Sequence, residues 1–325
     1  MILVTGAAGF IGSVLLAELN KLGREDIIIV DQLKDSSKWQ NLKNKRFIDY
    51  FQIDEIFEEK NLPLLKRVNQ IYHLGANSST LEEDMDLLWE NNVRFSQQIF
   101  NFATQNNVDL VYASSAATYG AGDKGYNDSH QSIKDLIPLN RYAFSKHFFD
   151  QWVLNQPRQP NRWLGLKFFN VYGPNEYHKG GMRSMVKQAF EQIQEHHSIR
   201  LFKSYLSNFS DGEQARDFIY VKDVSKIMVR MMESNHNIDN GIYNLGTGKA
   251  RSFNDLGKAV FKACGEAEKF EYIEMPSKLK KAYQYFTQAN MDKFNQAFPF
   301  TSFHSLEEGI EDYIKNFLMK DDPYL

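Results

Sequence analysis

A glycine-rich turn near the start of the chain constrains the fold more than any other feature. Residues 2–5 form a short apolar run, and residues 10–22 place apolar side chains at helical spacing. Between them lies the segment GAAGFIG, which contains Gly6, Gly9 and Gly12. This pattern predicts a buried strand, a tight turn and a helix in immediate succession.

The alternation of strand and helix continues through the first half of the chain. Apolar runs at residues 27–30, 70–74, 110–113 and 164–169 predict strands, and periodic segments at 85–103 and 143–154 predict helices. Repeated units of this kind indicate an α/β protein with a Rossmann-type, doubly wound parallel sheet. Beyond residue 170, shorter predicted strands at 199–202, 242–245 and 270–273 mix with helices. We therefore expect a Rossmann domain over residues 1–170 and a smaller mixed α/β domain over 171–325, with segments that return to the first domain.

The glycine turn predicts a dinucleotide site. Gly6, Gly9 and Gly12 let the backbone approach a pyrophosphate at the helix N-terminus. Asp31 follows Gly12 by 19 residues and ends the second predicted strand. In the dinucleotide-binding fold, a carboxylate at that position binds the adenosine ribose.

The loop after Asp31 bears on the choice of cofactor. An acid at this position favours NAD, because it repels a 2′-phosphate. Lys34 and Lys38 lie in the same loop and could turn toward such a phosphate. The residues alone leave NAD and NADP open.

Composition narrows the functional classes. The 38 Lys and Arg residues nearly balance the 41 Asp and Glu residues, so the basic excess typical of nucleic-acid binders is missing. No run approaches the ~18–20 apolar residues of a membrane-spanning helix. The single cysteine, Cys264, cannot form an internal disulfide, and the histidines lack partners at metal-ligand spacing. We expect a cytoplasmic protein without a metal, a membrane or a nucleic-acid partner.

Three polar residues predict proton chemistry. Tyr142 and Lys146 are four residues apart, so on the predicted helix they share one face. A neighbouring ammonium stabilises a phenolate and lets tyrosine act as a base nearer neutral pH. Ser115 follows a predicted strand, at the carboxyl edge where such sheets bind ligands, and could donate a hydrogen bond to a reacting oxygen.

The glycine turn, Ser115 and the pair Tyr142 and Lys146, in this order, resemble the extended short-chain dehydrogenase/reductase family of nucleotide-sugar epimerases and dehydratases. The resemblance implies that the serine, tyrosine and lysine move a hydroxyl proton while NAD(P) takes a hydride. It also implies a cofactor site, for which we predict Gly6, Gly9, Phe10, Ile11, Gly12, Asp31, Gln32, Lys38, Leu74, Gly75, Ala76, Asn77, Ser78, Asn91, Tyr142, Lys146 and Val171.

Longer blocks resemble the ADP-glyceromanno-heptose 6-epimerases within this family. They are FFNVYGPNEYHKGGM, YASSAATYG, VDQLKDSSKW, ARDFIYVKDV, YNLGTGKARSF and KAYQYFTQAN, and they spread over nearly the whole chain. The resemblance implies inversion at C6″ of the heptose in an ADP-sugar, a step in making the lipopolysaccharide inner core. It further implies NADP as the usual cofactor and assembly as a homo-oligomer.

We expect a second acid/base, because the hydride returns to the opposite face of the ketone and the proton donor changes with it. Lys179 matches the family residue with that role, opposite Tyr142. The resemblance assigns the 171–325 domain to the substrate and places the ADP-sugar at Asn170, Lys179, Gly181, Gln188, Phe202, Lys203, Ser204, Tyr205, Arg216 and Tyr283.

The chain departs from the family pattern at several positions. Ala116 and Ala117 stand where sugar 4,6-dehydratases carry an Asp-Glu pair, which disfavours dehydration. Gly181 replaces a common serine, and Ile53 stands where a cofactor-contacting lysine is expected. The stretch from Tyr205 onward, to residue 214, is longer than usual.

Two alternatives stay open. One is a 4-epimerase or reductase acting on another nucleotide sugar, which the bound nucleotide and sugar would distinguish. The other is a non-catalytic dinucleotide-sensing protein on the same fold, against which the joint presence of Ser115, Tyr142 and Lys146 argues.

Overall fold

Short runs of β-branched and aliphatic residues build the strands of this protein. A computed structural model describes residues 1–233, 238–280, 283–299 and 301–325. The strands are β1 (Ile2–Thr5), β2 (Ile27–Val30), β3 (Asp49–Phe51), β4 (Gln70–His73), β5 (Asp109–Ser115), β6 (Trp163–Phe168), β7 (Asn170–Tyr172), β8 (Ile199–Phe202), β9 (Ala215–Tyr220), β10 (Gly241–Leu245), β11 (Ala250–Ser252) and β12 (Phe270–Ile273).

The helices mostly follow the strands in alternation. They are α1 (Phe10–Lys21), α2 (Leu62–Leu65), α3 (Met85–Leu88), α4 (Phe95–Asn106), α5 (His130–Ile133), α6 (Arg141–Leu154), α7 (Met185–His196), α8 (Val221–Glu233), α9 (Phe253–Cys264), α10 (Ser277–Lys280), α11 (Asp292–Ala297) and α12 (Leu306–Tyr313). Shorter 3-10 segments lie at Ser37–Leu42, Glu59–Asn61, Ala116–Tyr119 and Tyr177–Met182, and π turns lie at Trp89–Arg94 and Ile314–Leu318.

Seven strands form one parallel sheet in the order β10-β6-β5-β4-β1-β2-β3. Strand β1 lies between β2 and β4, with Ile2 opposite Ile27 on one side and Gln70 on the other. The chain order therefore reverses at β1. In open α/β sheets, ligands bind at such a switch point, outside the carboxyl ends of the strands.

Two smaller sheets lie outside the main one. Strand β9 pairs with β7 in parallel and with β11 antiparallel, and β8 pairs with β12 in parallel. Helices α7, α9 and α12 contribute apolar side chains to a second hydrophobic cluster, with Val186, Leu256 and Ile310 buried in it.

The Rossmann-type sheet predicted from the sequence is confirmed, as are the strands predicted at residues 2–5, 27–30 and 199–202. The helix predicted over residues 85–103 is present as α3, the π turn at Trp89–Arg94 and α4, which follow one another directly and end at Asn106. Strands β3, β7, β9 and β11 were not predicted. Strand β10 pairs with β6 although it follows residue 170, so this segment returns to the main sheet. The division into domains at residue 170 stays a prediction. Among the described residues, no helix is long and apolar enough to cross a membrane.

Candidate active site

The glycine turn forms a cradle that side chains would fill. Gly6 has a φ of +67°, and a Cβ there would lie 2.6 Å from the backbone nitrogen of Gly75 at the end of β4. A Cβ on Gly12 would lie 2.1 Å from the carbonyl oxygen of Gly6, so α1 could not pack on the turn. Gly9 precedes α1 and supplies no side-chain cap. A helix N-terminus with this backbone access fits the pyrophosphate of a dinucleotide.

Asp31 lies buried beside the cradle. Its carboxylate accepts hydrogen bonds from the backbone N–H groups of Ala8 at 2.8 Å and Gln32 at 2.7 Å. Lys38 forms an ion pair with the same carboxylate at 2.5 Å and also donates to the carbonyl of Gln32. The lysine therefore partly neutralises the charge that would repel a 2′-phosphate.

Asn92 was not predicted from the sequence, and it joins the predicted cofactor loop to helix α6. It is fully buried in the π turn, accepts from the backbone N–H of Asn77 at 2.8 Å and donates to the carbonyl of Asn77 at 3.0 Å. Its amide also donates to Ser145 Oγ at 3.0 Å, and Ser145 donates to the carbonyl of Tyr142 at 2.7 Å. No local pattern distinguishes Asn92 from its neighbour Asn91, because its role depends on burial between two elements.

A buried histidine extends this network behind the cradle. His73 Nδ1 lies 2.7 Å from Thr5 Oγ1, and His73 Nε2 lies 2.8 Å from Ser96 Oγ. Thr5 Oγ1 accepts from the backbone N–H of Gly75 at 3.0 Å, and Ser96 donates its hydroxyl to the carbonyl of Asn92 at 2.7 Å. The ring is thus a neutral imidazole protonated at Nε2, and burial lowers the pKa of His73 to about 3.

Ser115, Tyr142 and Lys146 meet at the carboxyl end of β5. Ser115 ends β5 and hydrogen-bonds Tyr142, which begins the first turn of α6 together with Arg141. Burial raises the pKa of Tyr142, and the bond with Ser115 lowers it. Lys146 is 2% exposed, and burial lowers its pKa to about 8, so it stays cationic at neutral pH. Ser115 also accepts from the backbone N–H of Ala117, as a capping serine does.

An ion pair between Asp150 and Lys167 lies behind these residues. The two side chains are 0% exposed and 2.6 Å apart. Asp150 accepts from Ser114 Oγ at 2.6 Å and Tyr112 OH at 3.1 Å, while Lys167 donates to Thr118 Oγ1 at 2.6 Å. The pair therefore ties α6 to β5 and β6. Asp150 raises the pKa of Lys146 and Lys167 lowers it.

Lys179 reaches the site from a different element, the 3-10 segment Tyr177–Met182. Its ammonium lies 5.5 Å from the ring centroid of Phe10 at the start of α1. Burial lowers the pKa of Lys179, and the charge of Glu176 opposes that shift. Partial desolvation of an amine in this way brings its pKa toward the range useful for proton transfer.

The glycine cradle and the polar residues around it line one cavity of about 890 Å³ at the switch point of the sheet. Every predicted cofactor residue lines it, together with the predicted catalytic residues and Asn170. Lys34 and Ile53 also line it, beside Lys38. Within the described part of the chain, no group of three or more His, Cys, Asp or Glu side chains could hold a metal ion.

The other predicted substrate residues lie outside this cavity wall. Gln188 on α7 donates to the carbonyl of Arg183, which precedes that helix, and Gly181 is exposed with open space around it. Lys203, Ser204 and Tyr205 begin the long loop after β8, with Lys203 paired to Glu274, Ser204 bound to Asp211 and Tyr205 bound to Glu274.

Arg216 sits in an aromatic sandwich next to the cavity. Its guanidinium lies 5.2 Å from the Tyr283 ring and 5.6 Å from the Phe253 ring, and Phe202 contacts Tyr283 at 6.2 Å between centroids. Two of its donors bind the carbonyls of Ala215 and Gln284. Phe253 and Gln284 line the cavity, so the sandwich stands directly behind its wall.

A nucleotide cradle at the switch point, with a serine, a tyrosine and a lysine at the end of β5, defines a short-chain dehydrogenase/reductase of the Rossmann type. Residues 2–246 match the family described as NAD dependent epimerase/dehydratase, and the chain belongs to this family. The cradle accordingly fits a nicotinamide dinucleotide.

Full-length relatives make the comparison more specific. The chain is 46% identical to an ADP-L-glycero-D-manno-heptose-6-epimerase of Fusobacterium nucleatum, with 100% of both chains covered. It is 29% identical to the solved structure of the corresponding Helicobacter pylori enzyme, with a TM-score of 0.80 over 97% of this chain and 95% of that one. A UDP-glucuronic acid 4-epimerase of Bacillus cereus, solved with UDP-glucuronic acid and NAD, is 25% identical with a TM-score of 0.75, over 97% of this chain and 99% of that one. The predicted resemblance is confirmed, and the chain is an enzyme of the epimerase group.

Proposed function

We propose that this enzyme interconverts ADP-D-glycero-D-manno-heptose and ADP-L-glycero-D-manno-heptose by transient oxidation at C6″. The observation that carries the proposal is the placement of Tyr142 and Lys179, from separate elements, on the wall of the cavity that contains the glycine cradle. When the ketone turns its opposite face to the hydride, its oxygen can come to lie beside a second proton-transferring group, whereas a simple reductase uses one such group. The full-length relatives support the choice of sugar.

Oxidation begins when Tyr142 takes the proton of the C6″ hydroxyl, with Ser115 donating a hydrogen bond to the same oxygen. Burial and the charge of Asp150 raise the pKa of Tyr142, so the phenolate needs a cation. In this proposal Lys146, four residues further along α6, is that cation. A bound nicotinamide dinucleotide supplies hydride acceptance and return. The 6″-ketone then turns within the cavity, and Lys179 donates the proton that restores the hydroxyl after hydride addition to its opposite face.

The substrate residues beyond Asn170 and Lys179 belong to the proposal as well. Arg216 suits a diphosphate because a guanidinium can donate two parallel N–H bonds to phosphate oxygens. Two of its donors are held by carbonyl oxygens, so binding would use its remaining N–H groups or exchange those bonds. Gly181, Gln188, the residues from Phe202 to Tyr205, and Tyr283 complete the proposed ADP-sugar site.

For the cofactor, we propose NADP, with NAD as the alternative. The ion pair of Lys38 with Asp31 and the presence of Lys34 on the same wall support a 2′-phosphate. Ile53 on the same wall favours NAD, because an isoleucine at this position offers no charge to a 2′-phosphate. A role in lipopolysaccharide core synthesis and assembly as a homo-oligomer follow from the resemblance, a cytoplasmic location follows from the single cysteine, and all three stay predictions.

The test is to purify the protein, identify the released nucleotide by mass, and incubate the holoenzyme with ADP-D-glycero-D-manno-heptose. Proton NMR of C6″ reports the configuration directly. Interconversion without added cofactor supports a self-contained epimerase, and the mass distinguishes NAD from NADP. No conversion with a dinucleotide still bound would contradict the heptose assignment and favour a 4-epimerase or reductase of another nucleotide sugar.

A further inference from the structure

Glu176 is a buried carboxylate that the proposed chemistry does not use. It is 1% exposed and lines the cavity three residues before Lys179. Its segment, residues 173–184, connects the end of β7 to the start of α7. A buried carboxylate is costly unless donors or a cation compensate it, so its partners indicate what it does.

The partners of Glu176 come from both ends of this segment. Its Oε1 accepts from the backbone N–H of Gly173 at 3.4 Å and from Ser184 Oγ at 2.7 Å, and its Oε2 accepts from the backbone N–H of Ser184. All three partners donate, which suits an ionised carboxylate. Burial raises the pKa of Glu176, these donors oppose that shift, and Tyr313 of α12 also interacts with the carboxylate. Ser184 is also the N-cap of α7, so Glu176 connects the segment to a fixed helix end.

Glu176 acts on Lys179 through both backbone and charge. The backbone N–H of Lys179 donates to the backbone carbonyl of Glu176 at 3.1 Å. Glu176 therefore closes the segment with its side chain and holds Lys179 with its backbone. The charge of Glu176 raises the pKa of Lys179 against the effect of burial. The other charged or titratable groups on the cavity wall are Asp31, Lys34, Lys38, Tyr142, Lys146, Tyr172, His178 and Arg183.

We propose that Glu176 is a positioning residue for Lys179: it closes the segment that carries this lysine and supplies the negative charge that acts on its ammonium group. The inference deepens the proposed function, because it takes Lys179 as the second acid/base. Glu176 itself touches no reacting atom in this scheme. Its loss should therefore change how readily Lys179 gains and loses a proton, in addition to its placement.

The experiment compares Glu176→Gln with two matched variants. Glu191→Gln makes the same change on α7, where the carboxylate is 38% exposed and paired with Arg183 and Lys187. Ser184→Ala keeps the charge of Glu176 and removes one of its hydrogen bonds. Each holoenzyme is labelled with trace acetic anhydride across a pH series, and mass spectrometry of the Lys179 peptide gives its reactivity. Epimerisation is followed by NMR over the same pH range.

We expect Glu176→Gln to label Lys179 about tenfold faster near neutral pH, because loss of a close opposite charge weakens proton binding by about that factor. The pH profile of its kcat should move to lower pH. Its kcat should also fall by about 10–100-fold, because the Lys179 amine would no longer be held in place. Ser184→Ala should lower kcat while labelling stays within about twofold, and Glu191→Gln should match the wild type in both measurements.

Wild-type labelling of Lys179 in Glu176→Gln would overturn the inference. If Glu176→Gln does not fold, as judged by circular dichroism, Ser184→Ala tests the positioning role instead. An unchanged kcat in Ser184→Ala would then overturn the inference. Failure of the proposed function would be distinct, since the wild type would then not convert ADP-heptose. The labelling comparison would still test the charge of Glu176.

Discussion

Removing the charge of Asp150 tests how much its buried ion pair with Lys167 contributes to the stability of the protein. Asp150→Asn keeps the shape and one acceptor oxygen, but it leaves the fully buried Lys167 ammonium without its counter-charge, next to Thr118 Oγ1 and the Tyr119 ring. Removing one partner of a buried ion pair costs about 3–5 kcal/mol. For 325 residues, with an unfolding entropy of ~2.1 cal/mol/K per residue, that loss lowers Tm by about 4–7 °C.

The assay is thermal unfolding followed by circular dichroism, with two comparison variants. Glu58→Gln breaks an ion pair of almost the same length, 2.7 Å to Lys60, between exposed side chains, and should leave Tm nearly unchanged because water screens the pair. The double variant Asp150→Asn with Lys167→Met removes both charges, so it should recover a large part of the loss in Asp150→Asn. The reasoning is refuted if Asp150→Asn lowers Tm no more than Glu58→Gln does, or if the double variant is less stable than Asp150→Asn.

Further predictions follow from the cradle, the proton-transferring residues and the buried histidine. Tyr142→Phe and Lys179→Ala should each lower kcat by about 10³-fold or more with the dinucleotide still bound, and near-normal turnover by NMR in either variant would contradict the two-base scheme. Gly12→Ala should abolish retention of the dinucleotide, measured as nucleotide released per protein, because the new Cβ would lie 2.1 Å from the Gly6 carbonyl oxygen. Lys38→Ala should weaken NADP binding by about tenfold and leave NAD binding within about threefold, as judged by calorimetry; equal losses would argue against a 2′-phosphate contact. The folded-state pKa of His73 is about 3 and its ordinary value 6.5, so the unfolded chain binds the proton first and stability falls as pH falls through this range. Between pH 7 and 5 this contribution is about 2 kcal/mol, and urea unfolding of His73→Asn should show a correspondingly shallower pH dependence.

Local patterns in the sequence were enough to predict the glycine cradle and to bring Tyr142 and Lys146 together on one helix face. Gly6 and Gly12 act within a few residues of one another, and Tyr142 and Lys146 share a helix face because of helical geometry alone. The alternation of apolar runs and helical segments likewise predicts a parallel sheet, since each βα unit buries its strand in the same way.

The supporting contacts depend on the tertiary structure, because their partners lie far apart along the chain. Asn92 meets Ser145 across 53 positions, and Lys167 meets Asp150 only when β6 packs beside α6. The sequence places Arg216 next to Asp217, but alternation along β9 separates them: Arg216 stacks on aromatic rings while Asp217 accepts from Thr247 and Gly248. Short-range periodicity by itself determined the fold class and the core of the site. Burial, which depends on the packed chain, places Asn92 against α6 and shifts the pKa of Tyr142 upward and that of Lys179 downward.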